Sequence, residues 1–489
     1  MRRLAFILVC VAMVAGCRRD PRPSVAEAAT PPAAVSEPAP PGFDRAAFTA
    51  AVDALAAEAL ARGPLAGFSI AVERGHDVLL AKGYGLADVE AGLPATADSS
   101  YPIASVSKNF TTAALFQLSE RGRLDLDQPL GSVLEEARPA VGGVTLRHFL
   151  NHTSGIAVRG GPSPRAKAVR ALRAAVSGTP GESFEYSNTG FALMGLVVEK
   201  ASGLTYPQYI QQMVDAAGLT STGYCEGGLA VPHRVRDYGV GAQGIKPSLY
   251  WQFEKFFAAG GLCSSVTDLL RWEHALDAGE VINAADRQAM MTPTVLPEGV
   301  EIGYGLGTRM GDTGGHRKLG HTGGGTSNKA VLAHYPDDGV TIAVLFNTEA
   351  YVARVTAMEV EDRVARLLFG LSAEPSGGPT LDLAQLQRYS GAYGEHGRST
   401  RVVVDRAAQR LTAGGFGPLL PQGGDAFVDE KDPAVLLQFV TSGDRVLGYK
   451  RMHAGWFVQF GRRTGEAGPA PVAKKRTHRS RRARRVPTA

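Results

Sequence analysis

Hydrophobic and polar positions repeat with two different periods along the chain, and each period predicts one kind of element. Residues 67–85 form two short apolar runs around a glycine-containing turn, which is typical of a β-hairpin. From Asn109 onward, apolar residues recur at helical spacing and predict a helix that ends near Gly122. Helical patterns also occupy residues 190–203 and 267–279, between loops rich in glycine and proline.

Strand patterns return after these helices. Apolar runs predict strands at 303–310, 329–336 and 340–347, the last two joined by an Asp-Asp-Gly turn, and a helix over 352–370. Strands at both ends of a helical region predict an α+β fold, an α/β sandwich with an antiparallel sheet flanked by helices. The first and last strands of that sheet are expected to come together. We expect a site in the crevice beside the inserted helical region.

A second, smaller domain is predicted after this unit. The folded body is expected to span 44–371, and residues 372–380 are rich in Pro, Gly and Ser, which is typical of a linker. Between 381 and 463, apolar and polar residues alternate between turns and predict a small all-β, barrel-like domain. Its core is predicted to contain the aromatic residues Phe439, Tyr449, Trp456, Phe457 and Phe460.

The N-terminal end differs from the body in composition. Residues 1–16 combine a basic start with an apolar run too short for a membrane span, which indicates a secretory signal peptide. The following Cys17 completes Val-Ala-Gly-Cys, which is similar to the bacterial lipoprotein cleavage box, so Cys17 is a predicted lipidation site. Cleavage elsewhere as a plain signal peptide is the alternative. If Cys17 carries lipid, residues 17–43, rich in Pro and Ala, would tether an exported domain to the periplasmic side of a bacterial membrane.

The net charge of +5 is concentrated at the other end. Residues 464–489 are expected to be a disordered basic tail, and 474–485 hold eight Lys and Arg. Subtracting +8 from +5 leaves the rest of the chain at −3. Anionic lipid or another polyanion is the candidate partner of this tail. Nucleic acid is not expected as a partner, because nothing in the sequence resembles a nucleic-acid module.

Cysteine usage leaves one question open. Cys10 would leave with the signal peptide and Cys17 would carry lipid, so only Cys225 and Cys263 remain in the folded body. An oxidising periplasm permits a disulfide between them, and two separate buried thiols fit the sequence equally well. No Cys/His cluster has zinc spacing, and there is no H-E-x-x-H motif, so no zinc site is expected.

Ser105 and Lys108 are the first candidates for chemistry. Three residues apart at the start of a predicted helix, their side chains share one face. A serine hydroxyl becomes a nucleophile when a neighbouring base takes its proton, and a lysine of lowered pKa can be that base. An ordinary polar first turn is the alternative, although no other Ser-x-x-Lys occurs in the chain.

Two further motifs follow downstream. Tyr186 and Asn188, on a loop that enters a predicted helix, can direct a phenol and an amide into one cleft, or simply cap the helix. The third motif, at the edge of a predicted strand, consists of His321, Thr322, Gly323 and Gly324. Its glycines would let the backbone approach a substrate closely, whereas a β-turn is the alternative explanation.

In this order, the motifs resemble the S-x-x-K, Y-x-N and [KH]-T-G of the penicillin-recognising serine hydrolases. The resemblance is to the branch of class C β-lactamases, D,D-peptidases, D-aminopeptidases and esterases, and it covers roughly residues 44–370. Residues 146–156 and 258–272 are also similar to segments typical of that family. The resemblance implies a β-lactamase/transpeptidase-like fold and a hydrolase that forms an acyl-enzyme from an ester, amide or D-amino-acid peptide. It implies no metal and no organic cofactor. The C-terminal domain resembles the small β-barrel appended to some members.

The resemblance also implies roles for the motif residues. Ser105 would be the nucleophile, Lys108 its activating partner, and Tyr186 the carrier of protons to the leaving group and from the deacylating water. The implied substrate-binding and oxyanion residues are Asn188, His321, Thr322, Gly323 and Gly324. Asn188 would bind the substrate's amide, and the first two residues of the third motif would face its far end. The oxyanion hole would be the N–H groups of Ser105 and Gly324.

His321 stands where β-lactamases and D,D-peptidases of this family usually have lysine. An imidazole with its ordinary pKa of about 6.5 is mostly neutral at pH 7 and is a poor counter-charge for a substrate carboxylate. This favours an esterase, amidase or aminopeptidase, with a β-lactamase, D,D-carboxypeptidase or penicillin-binding protein as the alternative. A catalytically silent envelope binding or sensor protein is the alternative of another class, because function resides in the site and not in the fold.

Overall fold

A computed structural model describes most of the chain between Phe43 and Glu466. The described residues are 43–156, 163–225, 231–241, 244–248, 257–325, 327–348, 355–372, 378–395 and 398–466. The helices are α1 Arg45–Arg62, α2 Ser107–Glu120, α3 Pro139–Gly142, α4 Leu146–Leu150, α5 Pro164–Ala171, α6 Asn188–Ser202, α7 Tyr206–Ala216, α8 Val266–Asp277, α9 Ala284–Met291, α10 Ala357–Phe369 and α11 Leu383–Gln387. Among these, none has the length and hydrophobicity that crossing a membrane requires.

The strands fall into two groups along the chain. The first group is β1 Gly67–Arg74, β2 Asp77–Asp88, β3 Leu93–Pro94, β4 Tyr101–Pro102, β5 Gly223–Tyr224, β6 Tyr238–Gly241, β7 Gly244–Pro247, β8 Leu262–Ser264, β9 Val295–Leu296, β10 Val300–Glu301, β11 Arg309–Thr313, β12 His316–Gly324, β13 Lys329–Tyr335 and β14 Val340–Phe346. The second group is β15 Gly391–Glu395, β16 Arg398–Asp405, β17 Arg410–Ala413, β18 Pro418–Gly423, β19 Ala426–Asp429, β20 Asp432–Ser442, β21 Arg445–His453 and β22 Trp456–Gly465.

The central sheet joins the two ends of the first domain. Its strand order is β11-β12-β13-β14-β1-β2-β3, and neighbours are antiparallel. Strand β1 pairs with β14 from Phe68 opposite Phe346 to Arg74 opposite Val340. The predicted α+β fold, with first and last strands together, is therefore confirmed.

Each face of this sheet is covered by helices. Ile70 and Val72 of β1 point to one face and pack into a core with residues of α1 and α10, including Val52 and Val364. Ala71, between them, points to the other face and joins the larger core built around α2, α6 and α8. Successive side chains of a strand alternate between the two faces, so a continuous apolar run such as β1 is buried on both sides.

The predicted strand over 303–310 is wrong in most of its length, because β11 begins only at Arg309. Gly307 has a φ of +62°, which an extended strand does not allow. A Cβ on Gly307 would lie 2.0 Å from Oγ1 of Thr112, so the loop packs directly on α2. The loop thereby brings Tyr304 and Arg309 close to the start of that helix.

The second group of strands forms an eight-stranded antiparallel barrel. Each strand from β15 to β22 pairs with the next, and β15 pairs with β22 to close the ring. Phe439 and Tyr449 lie in its core as predicted. Trp456 instead packs in the core between the central sheet and α10, and Phe457 and Phe460 pack against the loop before β11. The barrel strand β22 is therefore buried partly against the first domain.

Cys225 and Cys263 form a disulfide, with 5.2 Å between their Cα atoms. Cys263 lies in β8, whose neighbours in a small three-stranded sheet are β4 and β5. The disulfide thus fixes the segment that runs from Phe257 to Ser264, directly beside the start of α2.

Candidate active site

Ser105 lies on a single 3₁₀ turn, Ala104–Val106, that runs directly into α2. Ala104 has a φ of +44°, a strained conformation for an L-residue that occurs at functional turns. The turn is fixed from both sides. Nδ2 of Asn328 donates to the carbonyl of Pro102 at 2.6 Å, and the backbone N–H of Leu262 donates to Oγ of Ser107 at 3.1 Å.

Lys108 is fully buried one helical turn after Ser105. Its Nζ lies 2.9 Å from Oγ of Ser105, 2.8 Å from Oδ1 of Asn188 and 2.7 Å from the carbonyl oxygen of Ala259. Burial lowers the pKa of Lys108, and the positive charge of Arg309 lowers it further, although Tyr186 acts in the opposite direction. A lysine in this state can accept a proton from the serine that it contacts.

The segment before α6 brings Tyr186 and Asn188 to the same place. Ser187 is the N-cap of α6, and its Oγ accepts from the N–H of Gly190 at 3.1 Å, as the alternative helix-cap explanation expected for this motif. Ser187 therefore caps α6 while its neighbours Tyr186 and Asn188 lie beside Lys108. Tyr186 lies over Lys108, with Nζ 4.9 Å from the ring centroid.

Tyr186 is held between positive charges. Burial by itself would raise the pKa of Tyr186, but the charges of Lys108 and Arg309, with hydrogen bonding from Lys108 and Ser105, lower it below the ordinary value. The Cζ of Arg309 is 5.6 Å from the ring centroid. A phenol that ionises more readily is a better proton carrier near neutral pH.

His152 packs against Tyr186 at 4.2 Å between ring centroids and is 1% exposed. Its Nδ1 accepts from the backbone N–H of Ser187 at 3.1 Å, so Nε2 carries the proton of the neutral ring. Burial, and then the charges of Lys108 and Arg309, put the pKa of His152 well below 6.5. No local pattern in the sequence indicates that the ring of His152 lies against Tyr186.

His321, which the resemblance assigns to the far end of the substrate, lies away from solvent in the structure. Its side chain is fully buried, with Nδ1 2.7 Å from the carbonyl oxygen of Thr322 and Nε2 3.0 Å from the hydroxyl of Tyr304. A carbonyl only accepts, so Nδ1 donates and Nε2 accepts from Tyr304. Burial, with the charges of Arg309 and Lys108, lowers the pKa of His321 well below 6.5, and the neutral state expected from the sequence is the one that these bonds require.

The rest of the third motif ends β12 beside the Ser105 turn. A Cβ on Gly323 would lie 2.2 Å from the carbonyl oxygen of Ile103, so only glycine allows this approach. Thr322 is half-buried and Gly324 is exposed at the strand end. The third motif is therefore the end of strand β12, packed against the 3₁₀ turn that holds Ser105. The alternative explanation, a β-turn, is wrong for it.

The structure brings Ser105, Lys108 and Asn188 into one hydrogen-bonded group, with Tyr186 against it. Sequence reasoning missed Arg309 and Tyr304, whose only signal was a glycine-rich run before the third motif. Cys17 and the basic tail at 474–485 lie outside the described residues.

One cluster of side chains of the kinds that bind metal ions lies outside the candidate active site. In the part of the chain that the structure describes, donor atoms of Glu359, Asp432 and His453 lie within 4.8 Å of one another. Glu359 accepts from the backbone N–H of Thr356 at 2.6 Å and so closes the capping box of α10. Its carboxylate thus has a structural role without any ion.

Comparison with known proteins agrees with this geometry. The family model described as Beta-lactamase matches residues 52–366. Penicillin-binding protein 4* of Bacillus subtilis (strain 168) is 27% identical over 359 residues, which cover 66% of this chain and 78% of that protein. The D-aminopeptidase of Brucella anthropi is 27% identical over 332 residues, or 64% of this chain, and the match spans only 60% of that enzyme's length.

The same likeness appears among solved structures. The octameric penicillin-binding protein homologue from Pyrococcus abyssi superposes with a TM-score of 0.61 at 25% identity. The superposition covers 84% of this chain and 99% of that one.

Proposed function

Because this chain belongs to the beta-lactamase family of serine hydrolases, we propose that it cleaves amide or ester bonds through an acyl-enzyme on Ser105. The observation that carries this proposal is the contact between Lys108, buried and of lowered pKa, and the hydroxyl of Ser105 at 2.9 Å. A nucleophile and a base within hydrogen-bond reach, the base held by further groups, are the elements of nucleophilic catalysis.

In the acylation step, the neutral amine of Lys108 takes the proton of Ser105, and Oγ attacks the carbonyl carbon of the substrate. The N–H groups of Ser105 and Gly324 would stabilise the oxyanion that forms. As the tetrahedral intermediate collapses, the bond to the leaving group breaks and Tyr186 donates the proton that this group needs. Water then attacks the ester carbonyl and gives one proton to the ionised Tyr186. As the bond between the acyl group and Oγ breaks, Lys108 returns its proton to Oγ, which releases the acid product and restores Ser105 and the neutral amine of Lys108.

The substrate class that the relatives favour is a small peptide, amide or ester with a D-amino acid at its acyl side. One relative is a D-aminopeptidase, and the family match over residues 52–366 includes Ser105, Lys108 and Tyr186. The neutral state of His321 supports the same choice, because it leaves the third motif without the charge of the usual lysine.

Arg309 favours a second candidate, a D,D-carboxypeptidase or penicillin-binding activity. Its guanidinium is a permanent positive charge that influences Lys108, Tyr186 and His321 alike. A cation in this position could supply the counter-charge for a substrate carboxylate that a neutral histidine cannot. Penicillin-binding protein 4* of Bacillus subtilis (strain 168) is the relative of that kind.

The cellular placement remains the one that the sequence suggests. We propose export by the segment 1–16, attachment by lipid on Cys17, and an accessory contact of the basic tail with anionic lipid. Replacing Cys17 with Ser should release the protein from membranes into the soluble fraction, and retention of this variant would contradict the anchor.

The experiment that tests the hydrolase is intact-protein mass spectrometry after exposure to a fluorophosphonate and, separately, to a penicillin. The control is Ser105→Ala. An adduct on Ser105 with the phosphonate alone, together with turnover of D-alanine p-nitroanilide, supports the aminopeptidase or esterase. A stable penicillin adduct as well favours the second candidate. No adduct from either reagent would overturn the hydrolase in favour of a silent binding protein.

A further inference from the structure

Arg309 is the point at which the C-terminal barrel reaches the candidate active site. Its Nη1 donates to the carbonyl oxygen of Phe457 in β22 at 2.7 Å, and the side chain is 8% exposed. On its other side, its Cζ is 5.6 Å from the ring of Tyr186. One guanidinium therefore contacts the barrel backbone and the proposed proton carrier at once.

The charge of Arg309 is not neutralised locally. Among the ion pairs of the described residues, none involves Arg309, and its buried Nε has no hydrogen-bond partner. A carbonyl oxygen orients a guanidinium without cancelling its charge, and a low-dielectric surrounding extends the reach of that charge. The pKa values of Lys108, Tyr186 and His321 are all lowered in part by it.

The barrel carbonyl is itself fixed by packing. Trp456, the residue before Phe457, is fully buried and pairs with Gly311, two residues after Arg309 in β11. The ring of Phe457 packs edge-on against Phe184 at 5.4 Å. A Cβ on Gly303 would lie 2.5 Å from the Cβ of Phe457, so the barrel strand presses directly on the loop that leads to Arg309.

We propose that the barrel completes the active site: Phe457 and its carbonyl hold Arg309 beside Tyr186, which makes Arg309 a positioning residue for the proton transfers of Tyr186. This inference rests on the proposed function for the role of Tyr186. Without the fixed cation, burial would dominate, and the phenol would lose its proton to a leaving group less readily. The barrel is then part of the catalytic unit and not an independent appendage.

The first test replaces the cation in the full-length protein. Arg309→Met is compared with Arg309→Lys, which keeps a charge, and with Arg317→Met, which removes an exposed arginine paired with Asp337. The titration of Tyr186 is followed by tyrosinate absorbance, with Tyr186→Phe as the blank for each variant. We expect Arg309→Met to raise the pKa of Tyr186 by about 1 unit or more, with partial rescue by Lys and no shift in the Arg317 variant.

Kinetics separate this role from a counter-charge role. We expect Arg309→Met to lower kcat by about tenfold or more at pH 7, with an alkaline shift of the kcat profile for substrates with and without a carboxylate. A rise of KM confined to carboxylate substrates, with an unchanged kcat profile, would overturn the inference. So would a folded Arg309→Met protein in which Tyr186 titrates as in the wild type.

The second test alters the barrel side. Phe457→Ala removes the contact with Phe184, and Phe439→Leu perturbs the barrel core away from that contact. We expect the pKa of Tyr186 to rise in Phe457→Ala and to stay unchanged in Phe439→Leu. Equal pKa values of Tyr186 in the two variants would count against the inference. If Phe457→Ala does not fold, the comparison of Arg309→Met with Arg309→Lys still tests the inference. A wild type with no turnover and no labelling of Ser105 would contradict the proposed hydrolase function. The tyrosinate titration would still show whether Arg309 lowers the pKa of Tyr186.

Discussion

Among the described residues, no carboxylate pairs with the buried Lys108, and its surroundings decide its charge. Three oxygens, from Ser105, Asn188 and the Ala259 carbonyl, accept from or contact its Nζ within 2.9 Å. All three are neutral groups, which satisfy the hydrogen bonds of an amine without stabilising its positive charge as a carboxylate would. Burial therefore lowers the pKa of Lys108, and none of these three partners adds a negative charge that would raise it.

Replacing Asn188 with Asp tests that statement at a single atom. A carboxylate 2.8 Å from Nζ would favour the ammonium form, so the pKa of Lys108 should rise and the pH profile of kcat/KM should move to alkaline values by about 1 unit or more. Asn283→Asp, at the exposed N-cap of α9, is the matched control and should leave the profile unchanged. An unchanged profile for Asn188→Asp would mean that Lys108 is not the base.

At the scale of elements, the site depends on three segments that arrive from different parts of the fold. The Ser105 turn begins α2, Tyr186 precedes α6, and the third motif ends β12. The approach of β12 to the turn is possible only because Gly323 has no side chain. Small movements between these segments would misalign the proposed nucleophile and the proposed oxyanion donors.

Gly323→Ala should therefore reduce the rate at which a fluorophosphonate labels Ser105 by about 10²-fold, because the new Cβ would force the Ile103 carbonyl away. Gly324→Ala is the matched control. It keeps the backbone N–H, and its Cβ would lie no closer than 3.4 Å to Nζ of Lys329, so its effect should stay below about tenfold. Equal losses in the two variants would show that packing at Gly323 is not the cause.

At the scale of the whole molecule, a buried ion pair joins the barrel to the first domain. Nζ of Lys318 lies 2.8 Å from Oε2 of Glu361 and 3.0 Å from the carbonyl oxygen of Ala454, at the tip of the β21–β22 hairpin. Nε1 of Trp456 donates to the same carboxylate at 2.8 Å, and Lys318 and Glu361 are both fully buried. Both domains thus share one polar network inside a common core.

Glu361→Gln should lower the free energy of unfolding by about 3–5 kcal/mol, because it leaves the ammonium of Lys318 buried without its counter-charge. Urea unfolding followed by tryptophan emission and by far-UV circular dichroism would measure this. Glu298→Gln, which removes an exposed pair with Arg445, should change the same quantity by at most about 1 kcal/mol. Equal values for the two variants would contradict the shared network.

The buried histidines give the whole molecule a pH dependence. His152 and His321 stay neutral in the folded state because their pKa values are well below 6.5, whereas an unfolded chain protonates histidine near that pH. Below about pH 6.5 the unfolded state binds more protons, so stability should fall by up to about 1.4 kcal/mol per pH unit for each residue. His274, whose pKa is raised by Glu73, acts in the opposite sense.

Urea midpoints at pH 7.5 and 5.5 measure this slope above the range in which most carboxylates titrate. The wild type should be less stable at the lower pH. In His321→Gln the difference between the two urea midpoints should be smaller than in the wild type, whatever the absolute stability of the variant. A wild-type midpoint that does not change with pH would contradict neutral, buried histidines.

Much of the element order followed from local pattern. The β1–β2 hairpin, α2, α6, α8 and the β13–β14 hairpin agree with the periodicity because apolar spacing and turn residues are local properties. The strand predicted at 303–310 failed because contacts with α2, which lie far away in sequence, require a positive φ at Gly307. The placement of Trp456, Phe457 and Phe460 in the barrel core failed for a similar reason. Alternation shows which side chains are buried but not which residues they pack against.

The sequence by itself determined the α+β class, the separate all-β segment and the three motifs, because each depends on residues close together in the chain. Only the tertiary structure decided that Cys225 and Cys263 pair and that His321 is buried against Tyr304. It alone also placed Arg309 between the barrel and Tyr186. These facts depend on contacts between distant segments and on burial, and a charge or a pKa follows from surroundings that no local pattern contains.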